Sequence, residues 1–223
     1  MSLARTLQSM LITAIISLTS LEPVAHASCE AGQASTMIVM TRTPLSQVEI
    51  MTSLRAGHAK VFGSEASDNR LAMAWAQIAL ETGHGRLTFN HNLGNVSMSS
   101  PVDPAYLNNG DKHVYRSFET FADGAEAYWE VLKRCSSALQ RFDEGMPTAA
   151  ATSLKRCHYF EAPVEEYAPT LNGLYKFAHK KVFKDEQREK QERQRRDNDN
   201  KRLTEESATA NADASSSDVT CGD

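Results

Sequence analysis

Residues 79 to 86 read Ala79-Leu80-Glu81-Thr82-Gly83-His84-Gly85-Arg86 and place a carboxylate at the end of an apolar helix. Upstream, from about Asp68, Leu71, Trp75 and Ile78 recur at i, i+4 and i+7, which predicts one buried helical stripe. Glu81 falls three residues after Ile78, at the margin of that stripe. Gly83 can take the left-handed conformation that ends a helix, and Gly85 is expected to let the backbone approach a ligand. A carboxyl group at such a border is partly desolvated, so its neutral form is favoured and its pKa should rise. That is the property a general acid needs to hold a proton near neutral pH and give it to a leaving oxygen.

Outward from this helix the chain reads as mainly α. Thr43-Pro44 predicts a helix start with proline at the first helical position, sending Val48, Met51, Leu54 and Val61 inward. Gly63 to Asn69 is polar and turn-rich. From Leu87 to Arg116 short runs alternate with Asn, Gly and Pro, which predicts a loop and a small hairpin with strands at Asn95 to Met98 and Lys112 to Arg116. Helix returns at Thr120, where Thr120 and Asp123 have capping-box spacing and Phe121, Ala125, Tyr128 and Leu132 form the inward stripe. Further helices are predicted from Ser136 to about Phe142, from Thr148 to Arg156, and from Val164 through Leu171, Leu174 and Phe177.

The 223 residues suffice for one sizeable core with tails, and the net charge of −4 gives no case for nucleic acid as a partner. Arg5, an apolar run from Met10 to Leu18 and Ala25-His26-Ala27 have the three-part pattern of a secretory signal over residues 1 to 27. A mature chain would begin at Ser28. The apolar run is short for a membrane span, so no stable span is expected, and His26 argues against a lipid anchor on Cys29. Export to the periplasm or beyond makes disulfides the natural reading of Cys29, Cys135, Cys157 and Cys221. Cys135 with Cys157 is the favoured pair, each near the end of a core helix, and closing that loop is worth roughly 3 kcal/mol on the entropic view. Cys29 and Cys221 pair with each other or stay free.

Residues 28 to 42 read as a linker and 43 to 183 as the folded domain. Beyond Phe183 the apolar stripe vanishes. The segment 184 to 206 is almost wholly charged, but Glu186 and Lys190, Glu189 and Arg193, and Glu192 and Arg196 fall at i, i+4 in the favourable order, which predicts a solvated helical extension. Residues 207 to 223 are rich in Ser, Ala and Asp and are expected to be disordered. No metal or organic cofactor is suggested, and a monomer is expected.

Four segments carry a family resemblance. Glu81 to Arg86 resembles the glucosaminidase family of peptidoglycan hydrolases, in which Glu-Ser/Thr-Gly-Trp/His-Gly ends a helix within a lysozyme-like fold. His91-Asn92-Leu93-Gly94-Asn95-Val96 is similar to the family's Asn-Asn-Leu-Phe-Gly-Ile segment, with Gly94 one place early and Asn95 where a glycine is expected. Tyr115 to Asp123 resembles the strand-to-helix segment after the hairpin. Tyr159-Phe160-Glu161-Ala162-Pro163, with Tyr167 behind it, resembles the late tyrosine motif. Together they span about residues 43 to 183. The resemblance implies a lysozyme-like helical domain with a small hairpin beside the catalytic helix, a cleft between the two, peptidoglycan glycan strands as substrate, and Glu81 as the acid that protonates the glycosidic oxygen.

Hydrolases of this type commonly draw a second carboxylate from the hairpin, and an inverting pair stands roughly 6.5 to 9.5 Å apart. This hairpin offers Asp103 and Asp111, the latter also read as a turn residue after Asn109-Gly110. Without such a partner, a single-acid route remains: attack by the sugar's own hydroxyl, or assistance from its acetamido group, with Tyr159 supporting the reacting centre. His84, Asn92, Asn95 and Tyr115 are the candidate sugar contacts, His84 against local packing and the asparagines against satisfying loop backbone. Trp75 reads as core, and Trp129 as core or sugar platform. The functional candidates are thus a peptidoglycan-cleaving glycosidase of N-acetylglucosaminidase or muramidase type, a lytic transglycosylase using the same Glu81, and a catalytically silent glycan-binding protein.

Overall fold

The computed structural model describes residues 37 to 97, 105 to 107 and 113 to 216, with side chains to Ser207. The leader at 1 to 27, the first part of the linker, Asp103, Asp111, Cys29 and Cys221 lie outside the described residues.

The structure is mainly helical. Helix α1 (Gln47–Phe62) is followed by α2 (Asp68–Thr82), a hairpin of β1 (Ala105–Leu107) and β2 (Val114–Arg116), then α3 (Phe121–Lys133), α4 (Ser136–Asp143), α5 (Pro147–Arg156) and α6 (Val164–Phe177). A π-helical turn, Ala178–Val182, joins α6 to the long α7 (Phe183–Ser216). Among the described residues no helix is long and apolar enough to cross a membrane.

Helix α1 begins three residues later than the proline suggests. Ser46, not Thr43, is its N-cap: the Ser46 hydroxyl accepts from the Glu49 backbone N–H, and the Glu49 carboxylate accepts from the Ser46 N–H. This capping box satisfies two amides that Pro44 could not. Helix α2 starts at Asp68, as its pattern predicts, but is buried more completely than a single stripe requires. Every residue from Leu71 to Ala79 is buried, Gln77 included. It runs through the middle of the domain between α1, α4 and α6, so beyond its partly exposed first turn no side of the stretch from Leu71 to Ala79 faces water.

Both tryptophans belong to this core. Trp75 Nε1 donates to the Gln47 carbonyl at 3.1 Å and Trp129 Nε1 to the Leu54 carbonyl at 2.9 Å, so each indole buries its ring without leaving its N–H unpaired. Trp129 is therefore core and not a sugar platform. Cys135 and Cys157 are joined in a disulfide, with Cα atoms 6.0 Å apart, linking the cap that precedes α4 to the cap that follows α5.

The hairpin differs in register from its expected form. Its first strand is Ala105–Leu107, with Tyr106 opposite Tyr115, whereas Asn95 to Val96 form loop and Ser97 makes one antiparallel bridge to Tyr115. The loop before the hairpin is shaped by Asn92, whose amide group bonds three backbone groups and holds the chain out of regular extension. Residues 37 to 42, expected as the end of a linker, are strapped to the domain. Met37 bridges Ala105, Arg42 bridges Phe89, and Thr41 exchanges hydrogen bonds with Asn90 at 2.6 and 2.8 Å.

Helix α7 continues to Ser216, past residue 207, where composition predicts disorder. Its first turn is also less solvated than its charge implies: Glu186 is only 2 % exposed and accepts two hydrogen bonds from Arg55 of α1, at 2.9 and 3.2 Å. Residues Glu192 to Ser207 are exposed throughout.

Candidate active site

Glu81 is the penultimate residue of α2, and the turn behind it is tightly pinned. Gly83 takes φ 56° and returns its N–H to the Ala79 carbonyl, ending the helix. Thr82 donates its hydroxyl to the Ile78 carbonyl at 2.7 Å and accepts from the Gly85 N–H at 3.0 Å. Gly85 serves this packing and not a ligand. A Cβ there would stand 2.5 Å from the Leu45 carbonyl oxygen and 3.1 Å from Ile50, so a side chain would force α1 away from the end of α2.

The Glu81 side chain faces a cleft of about 590 Å³. One side is built by the turn between α5 and α6 and by α6 itself, which supply Tyr159, Phe160, Glu161, Glu166 and Tyr167. The opposite side comes from the loop and hairpin, through Asn95, Ser97, His113 and Tyr115. The Tyr167 hydroxyl donates to Glu81 Oε1 at 3.2 Å, and its ring stacks on Phe160 at 3.7 Å with planes 7° apart. Tyr159 donates to the Gly94 carbonyl at 3.3 Å and meets the buried Tyr128 ring edge-on at 6.4 Å. Tyr128 in turn donates to Gln77 Oε1 at 2.7 Å.

These neighbours set the proton affinity of the carboxyl group. Burial pushes Glu81 above the ordinary glutamate range, and the hydrogen bond from Tyr167, which favours the ionised form, pulls back only part of that rise. Tyr159 and Tyr167 are pushed far upward, by burial first and by the Glu81 charge second, so both remain neutral donors. Among the described residues no Lys or Arg forms an ion pair with Glu81, so the carboxyl group is buried among hydroxyls without a compensating cation. A proton held there can be given to an acceptor entering the cleft.

The candidates chosen from sequence divide. Glu81, Tyr159, Asn95 and Tyr115 line one cleft. Asn95 has φ 49°, so the left-handed backbone that a glycine would supply is present and is adopted by asparagine, one of the residues that tolerates it. Asn92 is fully buried, and its amide is spent on Val96 and Arg116 backbone, so it is a loop organiser and not a sugar contact. His84 packs between Trp75 and Phe177, at 5.9 and 6.2 Å, outside the cleft lining, because its φ of 61° turns it back over the helix end. Tyr167 was not singled out as a partner of Glu81, and Glu161, Glu166, His113 and His158 were not expected in the lining. The stacking of Tyr167 on Phe160 and the left-handed turn at His158 bring the α5–α6 residues there, and β2 brings His113. Among the described residues no group of three His, Cys, Asp or Glu is arranged to hold a metal ion.

Among solved structures, the chain is similar to a peptidoglycan hydrolase from Sphingomonas sp. A1, at 18 % identity and TM-score 0.42 over 57 % of this chain and 86 % of that one. A mutant of a peptidoglycan hydrolase from the same organism gives 19 %, 0.41, 57 % and 92 %. The glycoside hydrolase domain of Salmonella typhimurium FlgJ gives 15 % identity and TM-score 0.46, over 69 % of this chain and 99 % of that one. No protein-family model matches the chain, and neither does any curated protein.

Proposed function

We propose that this chain is an exported glycosidase that cleaves the glycan strands of peptidoglycan, with Glu81 as the general acid. The observation that carries the reading is the environment of Glu81: a carboxyl group raised in pKa by burial, lacking an ion-pair partner among the described residues, at the wall of a cleft between helices and hairpin. The four sequence segments that resemble the glucosaminidase family meet at this place, and each contributes at least one residue to the lining. A strand bound across the cleft would present a glycosidic oxygen to the Glu81 proton, while the neutral hydroxyls of Tyr159 and Tyr167 support the reacting centre without competing for that proton.

N-acetylglucosaminidase or muramidase specificity is part of the proposal. So is a hydrolytic outcome, in which water completes the cut. Purified wall digested with the chain, followed by mass analysis of the fragments, tests both. Reducing ends are expected, and their parent sugar names the bond. Anhydro-muramic ends would replace the hydrolytic step with attack by the sugar's own hydroxyl. Wall cleavage that persists in a folded Glu81→Gln variant would remove the acid assignment altogether.

A further inference from the structure

Gln77 lies one helical turn before Glu81 on α2, at i, i+4, so both side chains leave the same face of that helix. It is fully buried in the otherwise apolar stretch from Leu71 to Ala79, where an amide costs stability unless its polar atoms are spent. Half of the amide is accounted for. Tyr128 of α3, itself fully buried, donates its hydroxyl to Gln77 Oε1 at 2.7 Å, which leaves Nε2 on the other arm of the amide. Nε2 is buried and closes no hydrogen bond of full geometry. The group it acts on is the Tyr167 hydroxyl. Burial and the Glu81 charge push Tyr167 upward, and the Gln77 amide is the one neighbour working against them, by favouring negative charge on the phenol oxygen. Tyr128, Gln77, Tyr167 and Glu81, from three helices, therefore form one directed series that ends on Glu81 Oε1.

We propose that Gln77 is a positioning residue for Glu81 that acts through Tyr167: its amide N–H faces the Tyr167 oxygen and so commits the Tyr167 proton to Glu81 Oε1. The inference rests on the reading of Glu81 as the acid and adds which of its oxygens gives the proton. A tyrosine hydroxyl has one proton to donate and an oxygen that accepts. With an N–H directed at that oxygen, the proton goes to Oε1. Oε2, which has no protein partner among the described residues, is left to carry the proton that Glu81 gives away. Dipoles aligned in such a series strengthen one another, so Gln77 also makes Tyr167 the better donor and holds Glu81 lower than Tyr167 alone would. The reversed amide would do the opposite, because its oxygen would accept the Tyr167 proton and take that donor away from Glu81.

The test reads Glu81 directly, by carbon NMR of its side-chain carboxyl during a pH titration of the full-length chain, the resonance being identified by its loss in Glu81→Gln. Gln77→Met keeps the length of the side chain and removes the amide. The Glu81 midpoint should then rise by a few tenths of a pH unit, the scale of one strengthened hydrogen bond. Added to Tyr167→Phe, the same substitution should leave the midpoint where Tyr167→Phe alone puts it, because the path through Tyr167 is already cut. An unmoved or lowered midpoint in Gln77→Met overturns the proposal. So does an equal rise in the Tyr167→Phe background, which altered packing or polarity around Glu81 would give. Tyr128→Phe, which keeps the ring and removes only the hydroxyl that orients the amide, should raise the midpoint in the same sense, and it decides in the same two backgrounds if Gln77→Met does not fold. Wall digestion is scored separately: no cleavage alongside the expected titration would break the glycosidase assignment and leave the role of Gln77 standing.

Discussion

Glu81 and Glu186 are both glutamates drawn out of solvent on helices of one domain, and their surroundings drive their proton affinities in opposite directions. At Glu186 burial would raise the pKa, but hydrogen bonds from Arg55 and Lys190 and the charges of both outweigh it and hold the carboxyl below its ordinary value. At Glu81 burial acts against a single neutral hydroxyl, and the value stays raised. The position of Glu81 in the last turn of α2, at the negative end of the helix dipole, adds to the cost of ionising it. What separates the two carboxyl groups is therefore the cation, present at Glu186 and, among the described residues, absent at Glu81, since the polypeptide withdraws both side chains from water.

Charge removal at the two positions tests this contrast most strongly. Glu81→Gln should lower wall cleavage by about a thousandfold, within the usual contribution of a positioned acid, while leaving the fold intact by circular dichroism. Glu186→Gln should leave cleavage by the folded fraction near its starting rate. Its cost falls on stability, about 2 kcal/mol in denaturant unfolding, because Arg55 and Lys190 lose their shared carboxylate. Loss of activity at constant stability in the second variant would break the comparison.

The stability differences should also carry opposite pH dependence. The folded-state pKa of Glu186 is depressed, so its contribution is full above the unfolded value of about 4.5 and is lost as pH falls through the folded value. The folded-state pKa of Glu81 is raised, so folding favours its protonated form and stability falls as pH rises through the window above 4.5. Glu81→Gln should accordingly unfold at a higher temperature than the parent chain near neutral pH and match it in acid, as read by thermal melts across that range. The smallest effect is expected from Tyr167→Phe. Removing this donor, which favours the Glu81 carboxylate, should move the alkaline limb of the cleavage profile to higher pH, and a limb that moves down would contradict the hydrogen-bond assignment.

Helix placement was largely legible along the chain because periodicity and caps are local. The Asp68 start, the Gly83 stop, the Thr120 cap and the inward stripe of α3 need only neighbours within a few residues. The misses lie where distant segments compete. A proline was a weaker start signal than the Ser46 and Glu49 pair, and Asn92 took the Val96 N–H and a share of the Val96 carbonyl that a regular strand at Asn95 to Ser97 would have used, Met98 lying outside the described residues. The i, i+4 pattern around Glu186 and Lys190 read as a solvated face, although Arg55, 131 positions away in sequence, draws that turn onto α1.

The chain by itself determined that one glutamate would stand at the end of a buried helix, that Cys135 and Cys157 would close the α4 and α5 caps, and that a hairpin would follow. Only the tertiary structure decided which groups share the space around Glu81. Tyr167 reaches it from 86 positions away, the Tyr159 turn is steered by a left-handed residue and a disulfide, and His84, its near neighbour in sequence, is turned into the core instead. The physical reason is range: capping and periodicity act within a helical turn, whereas desolvation and the absence of a cation are properties of everything that packs around a point.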